Sequence, residues 1–331
     1  MRTLRSASLL VVAILSISAV AQAGAAPRPT SSGASYSTFR ITQFPVPTPS
    51  SRPYQIVAGP DGNLWFTESD AGKIGKITPS GAITEYKIRT GSGPYGITVG
   101  PDGNLWFTER FADLIAKFST SGQLLAEYPV LTDNSQPWGI TTGPDGALWF
   151  TEEDVDQIGR ITLDGQVSEF PTQNCCFPTF ITKGGDGNLW FTEELANQVG
   201  RMDVNGSVTY YTPPTAQLLY GIGTAPNGLV WFTALAGDNK IGTVDSKGQI
   251  TEFTVPSDGT GIAGVTVRPK DGTVWFTEND AGFVGSMTSG GGQIHLYTDG
   301  SYPIGIAAGP DGNIWVTESQ SNAIGRVEVR G

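Results

Sequence analysis

Gly59-Pro60-Asp61-Gly62-Asn63-Leu64-Trp65-Phe66-Thr67-Glu68 is the stretch that decides the fold, because it recurs with small changes seven times along the chain. The tryptophans of the repeat follow one another at intervals of about 40 to 44 residues, and such a period in strand-like sequence is typical of β-propellers with four strands per blade. They are Trp65, Trp106, Trp149, Trp190, Trp231, Trp275 and Trp315. The repeat therefore predicts an all-β, seven-bladed β-propeller.

Each repeat unit contains four strand-like runs separated by turns. In the first unit an apolar run meets the turn at 59–62, and the run at 64–68 completes a hairpin. Two further runs follow at 74–77 and 83–86, and the last alternates apolar and polar residues as a half-buried outer strand does. We therefore predict four antiparallel strands per blade, named A to D from the axis outward.

The two ends of the repeat predict how the ring closes. A strand of the D type at 40–44 precedes the first unit and has no blade of its own, whereas the last unit ends after its C strand. We predict that the N-terminal strand completes the seventh blade, which leaves no open sheet edge at the closure. Six blades with one stray unit is the alternative.

The N-terminus carries a targeting pattern. Arg2 and Arg5 precede an apolar run at 9–20 and a small-residue triplet at 21–23, which predicts a signal peptide over residues 1–23. The apolar run is shorter than the ~20 residues that span a bilayer. Residues 24–38 are rich in Ala, Pro, Ser and Thr and predict a disordered linker. We expect a secreted protein, extracellular or periplasmic, with a single propeller domain at 39–331.

The charge of the chain bears on its partners. The formal net charge is −11 at pH 7, and removal of the N-terminal arginines makes it more negative. An acidic surface repels nucleic acid and anionic lipid. We expect neither a nucleic acid nor a membrane as partner.

A glutamate follows the Trp-Phe-Thr core, or Trp-Val-Thr in the last unit, in every unit but the fifth, where Ala234 stands. A reaction needs such a group once, whereas a hydrogen bond between blades would need it in every unit. We therefore interpret these glutamates as structural rather than as metal ligands or acid–base groups. They are Glu68, Glu109, Glu152, Glu193, Glu278 and Glu318.

The sequence predicts no metal site. The repeated Asp-Gly turns lack the Asp-x-Asp-x-Asp-Gly spacing of a calcium loop, so we interpret them as turn formers. The one histidine, His295, lies on the outer strand of the sixth unit, where we expect it to be exposed. A single histidine cannot form a multi-histidine zinc site.

Cys175 and Cys176 are adjacent, just before the inner strand of the fourth unit. Cysteines of exported proteins are usually bonded, but the Cα atoms of neighbouring residues lie only ~3.8 Å apart, below the usual disulfide range of roughly 4.4–6.8 Å. A strained disulfide between neighbours that stiffens the channel mouth is one hypothesis. Two free thiols or an intermolecular bridge are the alternatives.

The blades differ most at the second position of a tetrapeptide that opens each inner strand, as in Pro94-Tyr95-Gly96-Ile97. Aromatic residues here would converge on one opening and give a mostly apolar bed with polar tips. We predict ligand binding there by Tyr54, Tyr95, Trp138, Thr179 and Tyr220. The alternative is that these side chains plug the channel as part of the core.

The Pro-Tyr-Gly-Ile and Leu-Trp-Phe-Thr-Glu repeats resemble the virginiamycin B lyase (streptogramin lyase) family over nearly all of 39–331. Even the atypical stretch Phe177-Pro178-Thr179-Phe180-Ile181-Thr182 is similar to that family's Tyr-Pro-Ser-Phe-Ile-Thr. The resemblance implies a seven-bladed propeller and a carbon–oxygen lyase. Such a lyase opens a cyclic depsipeptide antibiotic by elimination at an ester linkage, with magnesium.

The positions that carry this chemistry differ here. The resemblance implies acid–base histidines at the second tetrapeptide position of units six and seven, where this chain has Ala263 and Ile304. An expected glutamate falls on Tyr302, and a second one could map to Glu318, a candidate catalytic residue; the unit-one aromatic is kept as Tyr54. Alanine and isoleucine cannot transfer a proton, and loss of such a group costs about 10²–10⁴-fold in rate.

We therefore expect a secreted lyase-like propeller without lyase chemistry. Its partner would be a small amphipathic or aromatic ligand, a peptide or a glycan, bound at the mouth. The alternative is a carbon–oxygen lyase or hydrolase that uses Glu318 and nearby tyrosines, and only the lyase would need magnesium. Lactonase-like hydrolysis ranks last, because the tetrapeptides supply no carboxylate or asparagine ligands for an axial metal.

Overall fold

Seven sheets, each built on four antiparallel strands, form a closed ring in the computed structural model, and a short fifth strand extends one of them. The structure describes residues 35–36, 41–172, 176–237, 239–257, 259, 261–298 and 301–329. The innermost strand of each sheet contacts the innermost strands of its two neighbours, and that of the last blade contacts that of the first. This confirms the predicted seven-bladed propeller.

Two strands precede the repeat, β1 (Ser35–Tyr36) and β2 (Ile41–Pro45). Blade 1 consists of β3 (Pro53–Ala58), β4 (Leu64–Glu68), β5 (Lys73–Ile77) and β6 (Ile83–Lys87). Blade 2 consists of β7 (Pro94–Val99), β8 (Leu105–Glu109), β9 (Leu114–Phe118) and β10 (Leu124–Pro129). Blade 3 consists of β11 (Pro137–Thr142), β12 (Leu148–Glu152), β13 (Gln157–Ile161) and β14 (Val167–Pro171). Blade 4 consists of β15 (Pro178–Lys183), β16 (Leu189–Glu193), β17 (Gln198–Met202) and β18 (Val208–Tyr211).

The remaining blades follow the same order. Blade 5 consists of β19 (Gln217–Thr224), β20 (Val230–Ala236), β21 (Lys240–Val244) and β22 (Ile250–Thr254). Blade 6 consists of β23 (Ile262–Val267), β24 (Val274–Glu278), β25 (Phe283–Met287) and β26 (His295–Thr298). Blade 7 consists of β27 (Pro303–Ala308), β28 (Ile314–Glu318) and β29 (Ala323–Val327), completed by β2. Within the described ranges the helical structure is one 3₁₀ turn at Glu153–Val155, and no helix is long and apolar enough to cross a membrane.

The N-terminal strand closes the ring. β2 pairs antiparallel with β29, in register from Ile41 opposite Val327 to Pro45 opposite Ala323. The prediction of this closure is confirmed, and the alternative of six blades is wrong. β1, which lies inside the predicted linker, pairs parallel with β26 at the outer edge of blade 6. Residues 1–34 and 37–40 lie outside the described part of the chain, so the signal peptide and the linker stay predictions.

Each repeat tryptophan is buried between blades, with at most 2% of its surface exposed. It stacks on an aromatic side chain from the outermost strand of its own blade, with ring centroids 5.3 to 5.9 Å apart. In blade 7 the stacking partner of Trp315 is Phe44 of β2. The strand that closes the ring therefore also supplies the side chain that completes the core of the last blade.

A β-bulge interrupts the pairing of the two inner strands in every blade, between the first and fourth residues of the tetrapeptide. A bulge leaves backbone groups without ladder partners. The threonine of the repeat satisfies them: its hydroxyl accepts from the amide N–H at the third tetrapeptide position of its own blade. It also donates to the carbonyl at the second position of the next blade, at 2.5 to 2.8 Å.

Blade-to-blade hydrogen bonds are thus made all round the ring by the threonine beside each glutamate position. Of the repeated glutamates, Glu278 also accepts such a bond, from the Asn239 side chain of blade 5 at 2.7 Å. These threonines are fully buried, and they are Thr67, Thr108, Thr151, Thr192, Thr233, Thr277 and Thr317. The last bond of the ring runs from Thr317 to the Tyr54 carbonyl, across the closure.

Replacing Thr151 by valine is expected to lower the free energy of unfolding by about 1–3 kcal/mol. The change keeps the shape of the side chain but leaves the Gly139 N–H and the Thr179 carbonyl buried without partners. Denaturant unfolding measures the effect, and Thr84→Val, at an exposed threonine of β6, is the matched control. Equal stabilities of the two variants would contradict the assignment.

Candidate functional site

The mouth is the end of the axial channel where the seven inner strands begin. Tyr54, Tyr95 and Trp138 meet there and are only 3%, 3% and 8% exposed. The ring centroids of Tyr54 and Tyr95 lie 4.2 Å apart, and those of Tyr95 and Trp138 lie 4.8 Å apart. These residues, with Tyr220, form what we call the aromatic plug. Their burial favours the plug over an open aromatic bed.

A hydroxyl contact joins the two sides of the plug. The Tyr54 hydroxyl, from blade 1, is hydrogen-bonded to the Tyr220 hydroxyl of blade 5. Burial raises the pKa of both phenols above their ordinary value, in Tyr54 reinforced by the neighbouring Tyr220. Tyr220 also packs edge-on against Phe180, at 5.0 Å between centroids. Both phenols therefore stay protonated at neutral pH and tie blades that are far apart in sequence.

The structure packs four of the five predicted ligand residues, Tyr54, Tyr95, Trp138 and Tyr220, into one cluster. Thr179 is fully buried, and its hydroxyl is hydrogen-bonded to the Thr192 hydroxyl at 3.0 Å. Ala263 and Ile304, at the positions where the resemblance implies histidines, are also buried, at 0% and 7% exposure. Ile304 packs against the aromatic plug.

Glu318, the candidate catalytic residue, lies inside blade 7. Its carboxylate accepts hydrogen bonds from the side chains of Gln43 on β2 and Ser321, both at 2.8 Å. A Cβ atom on Gly325 would lie 2.3 Å from Glu318 Oε1, so the side chain runs over β29 toward the outer strand. Glu318 therefore points away from the axis and does not share the site of the aromatic plug.

The other repeated glutamates are fully buried in the same way. Burial raises the pKa of Glu68 to about 8, with Glu85 adding to the rise, and that of Glu109 to about 7. Burial and the neighbouring Glu169 raise the pKa of Glu152 to about 9. Burial also raises the pKa of Glu193 to about 7. At neutral pH several of these carboxyl groups therefore hold a proton in the folded state.

A second position at the mouth also varies, which the sequence analysis missed. The residue that directly follows the Thr-Glu pair is charged in blades 2, 3 and 4, as Arg110, Glu153 and Glu194. The Arg110 guanidinium lies 4.1 Å from the centroid of the Trp138 ring and 2.5 Å from the Glu153 carboxylate. This variation is visible in the sequence when the seven repeat units are aligned, one residue after the Trp-Phe-Thr-Glu segment.

Burial raises the pKa of Glu153 to about 7; Arg110 opposes this rise, and Asp154 and Glu194 add to it. The pKa of Glu194 is raised by burial as well, against the effect of Arg110. Two carboxyl groups that titrate above their ordinary range thus lie beside the tyrosines of the mouth. Such groups can serve as general acids or bases, or can be parts of a structural ion pair.

Two voids lie at the axial end of the blades. The mouth pocket, of about 360 Å³, opens between blades 7 and 1 and is lined in part by Arg52, Asp70, Tyr302, Ile304, Ser319 and Gln320. The axial cavity, of about 50 Å³, is lined in part by Gln55, Phe180, Tyr220, Ala263, Ile304 and Ile306. The larger one has the volume of a small-molecule site.

The side chains around the mouth do not supply the oxygen ligands that a bound magnesium ion needs. Mg²⁺ prefers carboxylate and water oxygens in octahedral geometry. In the part of the chain that the structure describes, no three His, Cys, Asp or Glu side chains come together as metal ligands. The Asp70 carboxylate in the mouth pocket is paired with Arg52 at 3.8 Å. His295 lies half-buried, rather than exposed as expected, on the outer strand β26.

The predicted cysteine pair is only half within the described residues. Cys176 is buried, and its backbone N–H donates to Asp156 Oδ1 at 2.8 Å. Cys175 lies outside the described residues, so the bond between the two cysteines stays a prediction.

Known virginiamycin B lyases are similar to parts of this chain. A virginiamycin B lyase of Saccharopolyspora erythraea is 43% identical over 51 residues, 15% of this chain and 17% of that protein. One of Nocardia farcinica is 35% identical over 101 residues, 30% of this chain and 34% of that protein. The matched segments thus span at most about a third of these relatives.

Solved structures match over a longer range. A streptogramin B lyase structure superposes with a TM-score of 0.83 at 35% identity and covers 88% of this chain and 98% of that one. A catalytically inactive histidine-to-alanine variant of virginiamycin B lyase from Staphylococcus aureus, solved with quinupristin, has a TM-score of 0.82 at 34% identity, with 88% and 100% covered.

The sequence model of the virginiamycin B lyase family matches residues 39–219 and 172–331. These two matches together include every blade of the propeller and the strand that closes it. The chain belongs to the virginiamycin B lyase family.

Proposed function

We propose that this protein is a secreted, non-catalytic member of its family that binds a small ligand in the mouth pocket. The observation that carries the proposal is the pair Ala263 and Ile304. These residues occupy the positions at which the family resemblance implies acid–base histidines, and neither side chain can accept or donate a proton. Secretion is proposed on the N-terminal sequence pattern alone.

The residues that line the mouth pocket suit the binding of a ligand better than the transfer of a proton. It is lined by Ile304 and by Tyr302, at whose position the resemblance implies a glutamate. The Tyr302 hydroxyl donates to Asp280 Oδ1 at 2.7 Å, and burial together with Asp280 raises the pKa of Tyr302 to about 12. A phenol with such a pKa is a hydrogen-bond donor and not a base at neutral pH.

Purified protein incubated with quinupristin and magnesium is expected to leave the antibiotic ring closed. Liquid chromatography with fragment masses is the measurement, because elimination gives a linear isomer of unchanged mass, whereas hydrolysis adds one water. The Staphylococcus aureus virginiamycin B lyase with its histidine intact, rather than the inactive variant, is the positive control. Ring opening by this protein would contradict the proposal.

A second candidate function is an enzyme that uses Arg110, Glu153 and Glu194, which we call the charged arc of the mouth. It is favoured by Glu153, whose pKa is raised to about 7 beside Arg110 and near Tyr220. If turnover of any substrate is found, its loss in Glu153→Gln but not in Glu318→Gln would assign it to this arc. The reverse result would assign it to Glu318.

A further inference from the structure

The charged arc of the mouth holds two carboxylates for one cation. Arg110 is paired with Glu153 at 2.5 Å. The Glu194 carboxylate is half-buried and makes neither a hydrogen bond nor an ion pair within the described part of the chain. Burial raises its pKa, and Arg110 opposes the rise. Because a carboxylate removed from water without a partner is costly, this end of the arc is short of one positive charge.

Arg110 shows how this side of the mouth holds a cation. Its guanidinium lies 4.1 Å from the centroid of the Trp138 ring and 5.1 Å from that of Tyr95. The ring centroid of Phe111 lies 5.5 Å away. A cation within about 6 Å of a ring face is attracted by the ring. In blade 2 the protein's own arginine therefore fills a site made of aromatic rings and a carboxylate.

Glu194 occupies the equivalent position in blade 4, directly after the Thr-Glu pair. It lies close enough to Tyr220 to raise the pKa of that phenol. The rings of Tyr220 and Phe180 pack edge-on at 5.0 Å, and both are partly exposed. A carboxylate thus again lies beside aromatic rings, but no Lys or Arg among the described residues forms an ion pair with it.

Two further features fit an amphipathic ligand. Phe111 and Leu195, which follow Arg110 and Glu194 in the sequence, are 59% and 46% exposed. Trp138 is 8% exposed, and its indole N–H is buried with no hydrogen-bond partner among the described residues. The exposed apolar side chains can cover an apolar arm of a ligand, and the indole can donate to a carbonyl oxygen beside the cation.

We propose that the charged arc is a second binding site, for an amphipathic organic cation. Its guanidinium or ammonium group pairs with Glu194 beside the ring of Tyr220, and its apolar arm packs against Leu195. The net charge of −11 attracts such a ligand to the mouth. This site lies on blades 2 to 4, whereas the mouth pocket lies between blades 7 and 1, so the inference does not depend on what that pocket binds.

The experiment compares acetyl-Phe-Arg-amide with acetyl-Phe-citrulline-amide, because citrulline replaces the guanidinium by a neutral urea of similar shape. NMR titration at pH 8, which favours ionised carboxylates, measures the dissociation constants for the wild type, Glu194→Gln and Arg110→Gln. Glu328→Gln is the matched control, because it removes an exposed carboxylate at the opposite end of blade 7. Asp70→Asn removes a carboxylate from the mouth pocket and tests whether the cation binds there instead. Thermal unfolding checks that each variant folds.

The wild type and Glu328→Gln are expected to bind the arginine probe about tenfold more tightly than the citrulline probe, as for a hydrogen bond to a charged group. Glu194→Gln should lose this preference. Arg110→Gln should increase it, because Glu153 loses its own cation, and this variant keeps the test usable if Glu194→Gln does not fold.

The inference is overturned if the wild type binds neither probe or does not distinguish them, or if Glu194→Gln keeps the preference. A weaker preference in Arg110→Gln would also contradict it. Loss of the preference in Asp70→Asn would assign the cation to the mouth pocket and overturn the inference as well.

Discussion

The free energy of unfolding is expected to fall as the pH rises from about 5 to about 8, because buried glutamates hold protons in the folded state. Their folded pKa values, about 7 for Glu109 and Glu193, about 8 for Glu68 and about 9 for Glu152, lie above the ordinary value of 4.5. A raised pKa adds stability that is fully present below the unfolded value and is lost as the pH rises through the folded value.

The size of the effect follows from proton counting. Each glutamate that is protonated in the folded chain and ionised in the unfolded chain contributes a slope of about 1.4 kcal/mol per pH unit. The contribution of Glu152 to this slope extends over the widest pH range, because Glu169 and Asp113 add to the rise in its pKa that burial causes. Groups with lowered pKa values, such as Asp102 at about 2, titrate below this range and do not offset it.

Glu152→Gln is expected to remove one such contribution, since glutamine keeps the volume and cannot ionise. The slope of unfolding free energy against pH, from urea titrations between about pH 5 and 8, should become shallower by about 1.4 kcal/mol per pH unit. Glu328→Gln, at an exposed glutamate, is the control and should leave the slope unchanged. A wild-type protein whose stability rises with pH over this range would contradict the prediction.

Removing the strand that closes the ring is expected to abolish cooperative folding. A chain that begins at residue 47 lacks β2, so β29 presents an unpaired edge and Trp315 loses the stacked Phe44 ring. Loss of a fully buried aromatic side chain costs about 3–5 kcal/mol and loss of the half-buried Phe44 less, but removal of the whole strand also leaves an open sheet edge, which promotes aggregation.

A chain that begins at residue 39 is the matched control. It lacks β1, which adds only two residues at the edge of blade 6, and should unfold at nearly the same temperature as the longer chain. Thermal unfolding and size-exclusion chromatography distinguish the two truncations. Unchanged cooperative unfolding of the chain that begins at 47 would show that the ring does not depend on β2.

The candidate site was only partly predictable from the sequence. The tetrapeptide alignment located Tyr54, Tyr95, Trp138 and Tyr220, because a residue that varies within a regular repeat is visible without coordinates. The alignment could not decide between an open aromatic bed and a plug, because the packing of these side chains depends on the distances between the blades. Thr179, at the equivalent position, is turned instead to Thr192.

The sequence by itself determined the number of blades, their strand order and the closure by β2, because each blade is encoded locally by the same turns and apolar runs. Only the tertiary structure decided what stands at the axis. The Tyr54–Tyr220 contact joins residues 166 positions apart, and Ile304 borders two voids whose walls come from several blades. Such juxtapositions depend on the geometry of the closed ring, which no single repeat encodes.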